Sequence, residues 1–306
     1  MKKGKRKHIL IIAAIGLVYF IGVAAIVYPM IGNVYTLVTS KNVISTYNSD
    51  VETMDNSDVE NRLEDARAYN KKLAKGTFDE DLSKSLNMSN NIMCYVEVPS
   101  VEIYLPVYYG TSDDVLNKGA GWLEKTSLPV GGKNTHCVIA GHTGLPSAEM
   151  FTKLDQTKVG EMFYIRVLDR TLAYKIISID AVEPERTDLL HIDEDMDCVT
   201  LLTCTPYGIN DKRLLVKGER VAYTPDTDSD EDNYSDEFTE NTKLADEGLQ
   251  RQISGILAVI VAITVAAVIV FVGACIWLDV VTKKRAAIAI EDKGEKDKSG
   301  DDDVKT

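Results

Sequence analysis

The sequence of 306 residues has room for one or two domains and carries a formal net charge of −13. A chain this acidic does not suit a nucleic-acid-binding protein, whose domains are usually basic, so no nucleic-acid partner is expected. Its five cysteines show no CxxC or other metal-like spacing, and there is no glycine-rich phosphate loop. Neither a metal ion nor an organic cofactor is therefore expected.

Two apolar stretches, Ile9 to Tyr28 and Ile253 to Leu278, are each long enough to cross a bilayer core of about 30 Å as a helix. The first has no clear small-x-small cleavage site, which favours a retained anchor over a cleaved secretory signal. Basic residues lie in the preceding segment 1–8 and in the following segment 279–306, and such flanks favour the cytoplasmic side. We therefore expect a two-pass protein of the cell membrane, with both termini cytoplasmic and the intervening segment outside.

The segment between these stretches changes in character along its length. Residues 31–92 include apolar positions at helical spacing from Val59 to Leu73, which predict a membrane-proximal helix. Residues 93–224 contain seven short strand-like runs separated by turn residues, a pattern typical of a mainly β sandwich or barrel. The runs are Met93–Val98, Glu102–Tyr108, Thr135–Ala140, Met162–Leu168, Thr171–Val182, Cys198–Thr203 and Arg213–Tyr223. Residues 225–250 are strongly acidic and are interpreted as a solvated linker.

One cysteine has different flanks from the others. Cys204 lies in a polar, turn-forming stretch between two strand-like runs, and Arg213 begins the second run. If the two runs pair as a hairpin, both residues fall at the same end, where a cation favours the ionised form of a thiol. The other cysteines of this segment lie in apolar runs, where a thiol behaves as a small hydrophobe. Cys204 is therefore the candidate nucleophile.

Two histidines border one strand-like run. His136 lies near its start, where a structural role is favoured, and His142 follows its end between Gly141 and Thr143. A glycine-containing turn allows a ligand to approach closely, and a histidine there is suited to general acid–base work. Cysteine, histidine and arginine together supply a nucleophile, a proton donor and a cation for a developing oxyanion. Acyl transfer through a thioester uses all three.

Three runs of the sequence resemble the sortases, the transpeptidases of Gram-positive cell surfaces. TLLTC, followed by TPYGIN and RLLVKGER, looks like the catalytic segment of that family. The run LPVYYGTSDDVLNKGAGWLEKTSLPVGG from Leu105 to Gly132 and the run HCVIAGHTGLP from His136 to Pro146 match as well. The closer resemblance is to class C, the pilin-polymerising sortases, and it covers roughly Met93 to Tyr223.

The resemblance implies roles for four residues by position. Cys204 matches the family's nucleophile, His142 its catalytic histidine and Arg213 its catalytic arginine, while Thr203 matches a threonine that helps to shape the substrate groove. It also implies a closed, mostly antiparallel barrel of eight strands. The implied substrate is an LPXTG-like sorting signal, cleaved between Thr and Gly to give an acyl-thioester. An amine then resolves the thioester, and in class C that amine is usually a lysine of the next pilin subunit.

The sequence departs from the class C pattern at two places. Many class C sortases cover the cysteine with an N-terminal lid that carries an Asp-Pro-aromatic motif, whereas residues 75–91 here have Phe78 and Asp79 and no such tripeptide. Asp211 and Lys212 stand where the family more often has a Thr-His pair before the arginine. Because the lid motif is missing, the resemblance implies sortase activity more strongly than it implies a functional lid or pilin polymerisation.

Three alternative functions compete with a pilin polymerase. A housekeeping-type sortase would attach surface proteins to the cell wall, with a peptidoglycan precursor as the amine acceptor. An L,D-transpeptidase has a Ser-His-Gly-Cys-x-Arg signature, but here the arginine lies nine residues after Cys204 and the histidine far before it. A non-catalytic, membrane-tethered surface β-domain would make Cys204 one more buried thiol.

Overall fold

The computed structural model describes residues 2–88, 91–145, 148–223 and 234–299. The chain forms two compact units, Met1–Met30 with Ser254–Thr306, and Ile31–Ile253. The helices are α1 (Lys2–Glu52), α2 (Asn56–Leu73), α3 (Glu80–Ser83), α4 (Asp113–Leu116) and α5 (Tyr234–Ser299). The strands are β1 (Ile92–Val98), β2 (Ile103–Tyr109), β3 (Ala120–Trp122), β4 (Thr135–Ala140), β5 (Met162–Val167), β6 (Arg170–Val182), β7 (Asp197–Thr205) and β8 (Lys212–Val221).

The first unit contains apolar parts of α1 and α5. Within the described residues, Ala13–Glu52 and Ile253–Lys284 are long and apolar enough to cross a membrane, judged by length and composition. The two helices pack together in this unit, since the Tyr19 hydroxyl donates to the Ala267 carbonyl at 3.0 Å. The predicted span 9–28 lies within α1, which continues to Glu52, and α5 begins inside the predicted acidic linker. The remaining linker residues 225–233 lie outside the described residues.

The second unit is built on a closed barrel, as predicted. Its strand order is β1-β2-β3-β4-β7-β8-β6-β5, with β5 pairing back onto β1. Neighbouring strands are antiparallel except for two parallel pairs, β2 with β3 and β4 with β7. The parallel β4–β7 pair matters most for the site, because it brings the carboxyl ends of both strands to one edge of the barrel.

The predicted strands agree with the observed ones to within two residues at each end, but the sequence pattern missed β3. This strand has only three residues, and it follows Gly119 and contains Gly121. A Cβ at Gly121 would lie 2.2 Å from the Gly110 carbonyl oxygen, so the close approach of two backbones requires glycine here. A run of three residues with a glycine at its centre has no detectable alternation.

Helix α2 packs against the barrel through the predicted apolar stripe. Val59, Leu63, Ala66 and Tyr69 are all buried. One buried polar side chain also contributes to the packing. Asn70 donates to the Leu128 carbonyl at 3.1 Å and accepts from the Leu128 N–H at 2.7 Å. Because both backbone groups of Leu128 are satisfied by one side chain, the helix is held in a defined position on the barrel.

Candidate active site

The hairpin of β7 and β8 places Cys204 and Arg213 opposite each other. The two residues are directly paired in the antiparallel register, near the end of the hairpin. Directly opposed residues of antiparallel strands share a face, with Cβ atoms about 4.5–5.5 Å apart. The hairpin expected from the sequence is present, and it brings the thiol and the guanidinium to one side of the sheet.

Thr203 links the cysteine strand to the loop that carries His142. Its buried hydroxyl donates to the Gly141 carbonyl at 2.7 Å and lies 3.0 Å from the Thr143 hydroxyl oxygen. The Gly141 N–H in turn donates to the Leu202 carbonyl at 3.0 Å. The residues on both sides of His142 are therefore fixed to the residue immediately before Cys204.

The loop after β4 depends on glycine at two positions. A Cβ at Gly141 would lie 2.6 Å from Phe151 Cδ2, and the Phe151 N–H donates to the His142 carbonyl at 3.0 Å. Gly144 has a φ of +77°, which L side chains rarely adopt. The ring of Tyr207 covers Gly144, since an added Cβ would lie 3.3 Å from Tyr207 Cε2. Sequence analysis assigned no role to Tyr207, although an aromatic residue in the turn after the cysteine was a usable signal.

The turn between β7 and β8 holds the arginine. Arg213 Nη1 donates to the Lys212 carbonyl at 3.1 Å and to the Asn210 carbonyl at 3.4 Å. The side chain is half-buried, and no carboxylate is paired with it among the described residues. These hydrogen bonds are to neutral carbonyl groups and not to an anion, so the positive charge of the guanidinium is available to a bound ligand.

Cys204 differs from the other barrel cysteines in exposure. It is half-buried, whereas the three others are buried. Burial raises the pKa of the Cys94 and Cys137 thiols well above the ordinary value and raises the pKa of the Cys198 thiol to about 11. Buried thiols of this kind are unreactive, so Cys204 is the candidate nucleophile within the described part of the barrel.

His136 has a different environment from His142. It is fully buried and is paired in register with Cys198 of β7. Cys198 lies six residues before Cys204 on that strand, a distance of about 20 Å. Its Nδ1 lies 2.7 Å from the His191 carbonyl oxygen and its Nε2 lies 2.7 Å from the Thr200 hydroxyl oxygen. Burial lowers the pKa of His136. Both ring nitrogens are occupied within the fold, which agrees with the structural role that the sequence favoured.

The segment that would correspond to a lid contacts other parts of the unit. Phe78 packs edge-on against Tyr69 of α2, and Asp79 caps α3 while it pairs with Lys72 at 2.6 Å. The Ser83 hydroxyl lies 3.0 Å from the hydroxyl of Tyr109 in β2. In the barrel order, β3 and β4 separate β2 from the strand that carries the cysteine. The described residues 78–88 are thus bound to α2 and β2.

Comparison with known proteins agrees with this geometry. A family model described as a sortase domain matches residues 96–221. Sortase A of Staphylococcus aureus is 32% identical over 169 residues, which cover 53% of this chain and 77% of that protein. Sortase A of Streptococcus agalactiae is 25% identical over 53% of this chain, and the chain spans 66% of that protein's length.

Solved structures match a larger share of the chain than the family model does. An X-ray structure of Clostridium perfringens sortase C with the C-terminal cell wall sorting motif is 46% identical, with a TM-score of 0.56. The match covers 60% of this chain and 99% of that one. On this evidence the chain belongs to the sortase family, a family of transpeptidases, and its structural neighbours are sortases C.

Proposed function

We propose that this protein is a membrane-anchored cysteine transpeptidase that assembles pilin subunits through LPXTG-like sorting signals. The observations that support the proposal are the register pairing of Cys204 with Arg213 and the hydrogen bond from the Thr203 hydroxyl to Gly141, next to His142. The likeness to a sortase C bound to a cell wall sorting motif supports the substrate class. The two apolar helices that flank the domain support anchoring in the membrane, with both termini cytoplasmic because their flanks are basic.

In the first half-reaction the sulfur of Cys204 attacks the carbonyl carbon of the signal's Thr. The bond from that carbon to the Gly nitrogen breaks, and His142 gives the leaving amine its proton. Arg213 stabilises the negative charge that develops on the carbonyl oxygen. The products are a thioester on Cys204 and a released peptide that begins with Gly.

In the second half-reaction an amine attacks the thioester carbon. A new amide bond forms, the carbon–sulfur bond breaks, and His142 takes up the proton that the amine loses. We assign the amine to a pilin lysine because the structural neighbours are sortases C. A peptidoglycan precursor as acceptor would instead make the protein a cell-wall-anchoring sortase.

Alanine variants test the assignment of the three residues. Cys204→Ala should abolish transfer of a sorting peptide to an amine, and His142→Ala and Arg213→Ala should each lower kcat/KM by about 10²–10⁴-fold. His136→Asn is the control, because its side chain is occupied within the fold far from the thiol. If Cys204→Ala transfers peptide at the parent rate, or if only the control loses activity, the proposed function is wrong.

A further inference from the structure

A second cleft lies at the opposite end of β7 from Cys204. Two adjoining cavities of about 860 and 640 Å³ share Arg67, Val130 and Gly132 in their walls. Asp197, the first residue of β7, lines the smaller cavity. Cys204 lies seven residues farther along the strand, about 23 Å away, so this cleft is separate from the candidate active site.

The walls of this cleft carry more positive than negative charge. Six cationic side chains line the two cavities, against the two acids Glu194 and Asp197, so the formal charge of the lining is +4. The whole chain has a net charge of −13. A concave surface with a charge opposite to that of the chain attracts anions from solution. The six cations are Arg67, Lys71, Lys75, Lys133, Arg170 and Arg220.

Acids that do not line the cavities offset part of this charge. Glu60 lies 3.9 Å from Arg67 and also pairs with Arg170. Asp195 pairs with Lys133 at 2.9 Å. These pairs are exposed to solvent on both sides, and exposed ion pairs are individually weak. A multivalent anion can therefore compete for the same cations.

The other three cations have no ion-pair partner among the described residues. Lys71 and Lys75 are exposed, and half-buried Arg220 lies over the ring of Tyr174 at 5.6 Å from its centroid. The carboxylate of Asp197 is near Arg220 but beyond ion-pair distance. That carboxylate accepts hydrogen bonds from the Tyr174 hydroxyl at 3.1 Å and from a backbone N–H at 2.7 Å. The charge of these three cations is available to a ligand.

The spacing of the cations favours a long ligand over a single small anion. Arg67, Lys71 and Lys75 recur every four residues along α2 and the turn after it, so this row extends about 12 Å. Arg170 and Arg220 line the adjoining cavity. One phosphate or carboxylate group cannot contact cations spread over this length, whereas a chain of anionic groups can.

We propose that this cleft binds a linear polymer of phosphate groups, which contacts the row on α2 and the arginines of the smaller cavity. Phosphate suits these side chains because its several oxygens accept the parallel N–H groups of a guanidinium. No aromatic residue lines either cavity among the described residues, so the cleft offers nucleic-acid bases no stacking surface. The contact does not involve Cys204, so it is independent of the proposed acyl transfer.

Lysine footprinting tests where the polymer binds. The full chain in nonionic detergent is acetylated with and without linear polyphosphate, and each lysine is measured by mass spectrometry. Polyphosphate should protect Lys71 and Lys75 and leave Lys118 and Lys158 unchanged, since these two are exposed outside the cleft. Orthophosphate at the same total phosphate concentration should protect neither pair. Equal protection of all four lysines or of none, or equal protection by orthophosphate, would overturn the proposal.

Two further anions separate the polymer from competing ligands. Micelles that contain an anionic phospholipid, without polyphosphate, should leave Lys71 and Lys75 reactive, because a lipid surface does not enter a cavity. Protection in those micelles would assign the cations to a membrane surface and overturn the proposal. Polyglutamate of equal total charge should compete poorly with polyphosphate. Equal competition would show that the cleft selects charge alone, which contradicts the assignment to phosphate.

Charge variants supply a readout that does not depend on lysine chemistry. In fluorescence anisotropy with labelled polyphosphate, Lys71→Glu combined with Lys75→Glu should weaken binding about tenfold or more and flatten its salt dependence, because fewer counterions are released. The pair Lys71→Arg and Lys75→Arg should retain binding. Lys118→Glu with Lys158→Glu changes the net charge equally and should bind like the parent chain. If both Glu pairs weaken binding equally, the attraction belongs to the whole molecule and the proposal is wrong.

Discussion

At the scale of single residues, the chain on both sides of His142 is held in place by Thr203. The Thr203 hydroxyl is bound to residues on either side of the histidine, and it belongs to the residue just before the thiol. The resemblance to sortases implied a role for Thr203 in shaping the substrate groove. The structure shows a buried hydroxyl that joins two chain segments, and this suggests a positioning role.

Thr203→Val should separate these segments while it keeps the side-chain volume. Loss of the hydroxyl leaves the buried Gly141 carbonyl without its partner, which costs about 1–3 kcal/mol of stability. We expect kcat to fall about ten- to hundredfold because the histidine is displaced, with KM little changed. Thr203→Ser keeps the hydroxyl and should restore both values. Equal kinetics of Thr203→Val and the parent chain would show that the hydroxyl does not position His142.

His136 makes the stability of the barrel depend on pH. Its folded pKa is lowered by burial, so the proton is bound more tightly by the unfolded chain. Its stabilising contribution is complete above about pH 6.5 and is lost as the pH falls through that value toward the folded pKa. The titratable groups near it are Lys217, Asp193 and His191.

The measurement is the unfolding midpoint of the full chain in detergent between about pH 7.5 and 5, the range around the ordinary histidine pKa. Trp122 fluorescence reports on the barrel in a Trp277→Phe background, since the chain has two tryptophans. His136→Gln should be less stable at neutral pH and should show a smaller decline on acidification. An identical decline in both chains would assign the pH dependence to other groups.

At the scale of elements, the sequence predicted those strands and helices whose apolar residues recur at a regular spacing. Seven strands and the apolar stripe of α2 follow from alternation and helical spacing. The same reasoning missed β3, whose three residues include a glycine, and it gave no pairing order. Strand order depends on contacts between residues far apart in sequence, such as the parallel pairing of β4 with β7.

The loop after β4 is an element whose shape depends on tight packing. Gly141→Ala would bring a Cβ to 2.6 Å from the Phe151 ring. We expect a cost of about 1–3 kcal/mol from overpacking, together with a lower acylation rate, because the Phe151 N–H holds the His142 carbonyl. Gly255→Ala in α5, where an added Cβ has open space, is the control for both measurements. An unchanged melting temperature for Gly141→Ala would show that the loop and the Phe151 ring accommodate the added methyl group.

At the scale of the whole molecule, composition predicted the division into apolar helices and a β-rich unit. The sequence did not predict that α1 continues to Glu52. The residues after the apolar stretch have no pattern that distinguishes a continuing helix from a loop. It also gave no indication of two cavities that both have Arg67 of α2 in their walls, since α2 and the end of β8 meet only in the folded chain.

The expected topology places the barrel outside the cell, where one thiol is accessible. A membrane-impermeant maleimide applied to intact cells should label the parent chain and fail to label Cys204→Ala. The reason is that the other barrel thiols are buried and therefore inert. Labelling that appears only after permeabilisation would place the barrel in the cytoplasm and contradict the topology.

The most direct test of the central claim is to trap the acyl-enzyme. The full chain in detergent is incubated with an LPXTG peptide without an amine acceptor, quenched in acid and analysed by mass spectrometry. Cys204 should carry the peptide fragment that ends at Thr as a thioester, and His142→Ala should accumulate far less of this adduct. No adduct on Cys204, or peptide cleavage at the parent rate by Cys204→Ala, would contradict the assignment of Cys204 as the nucleophile.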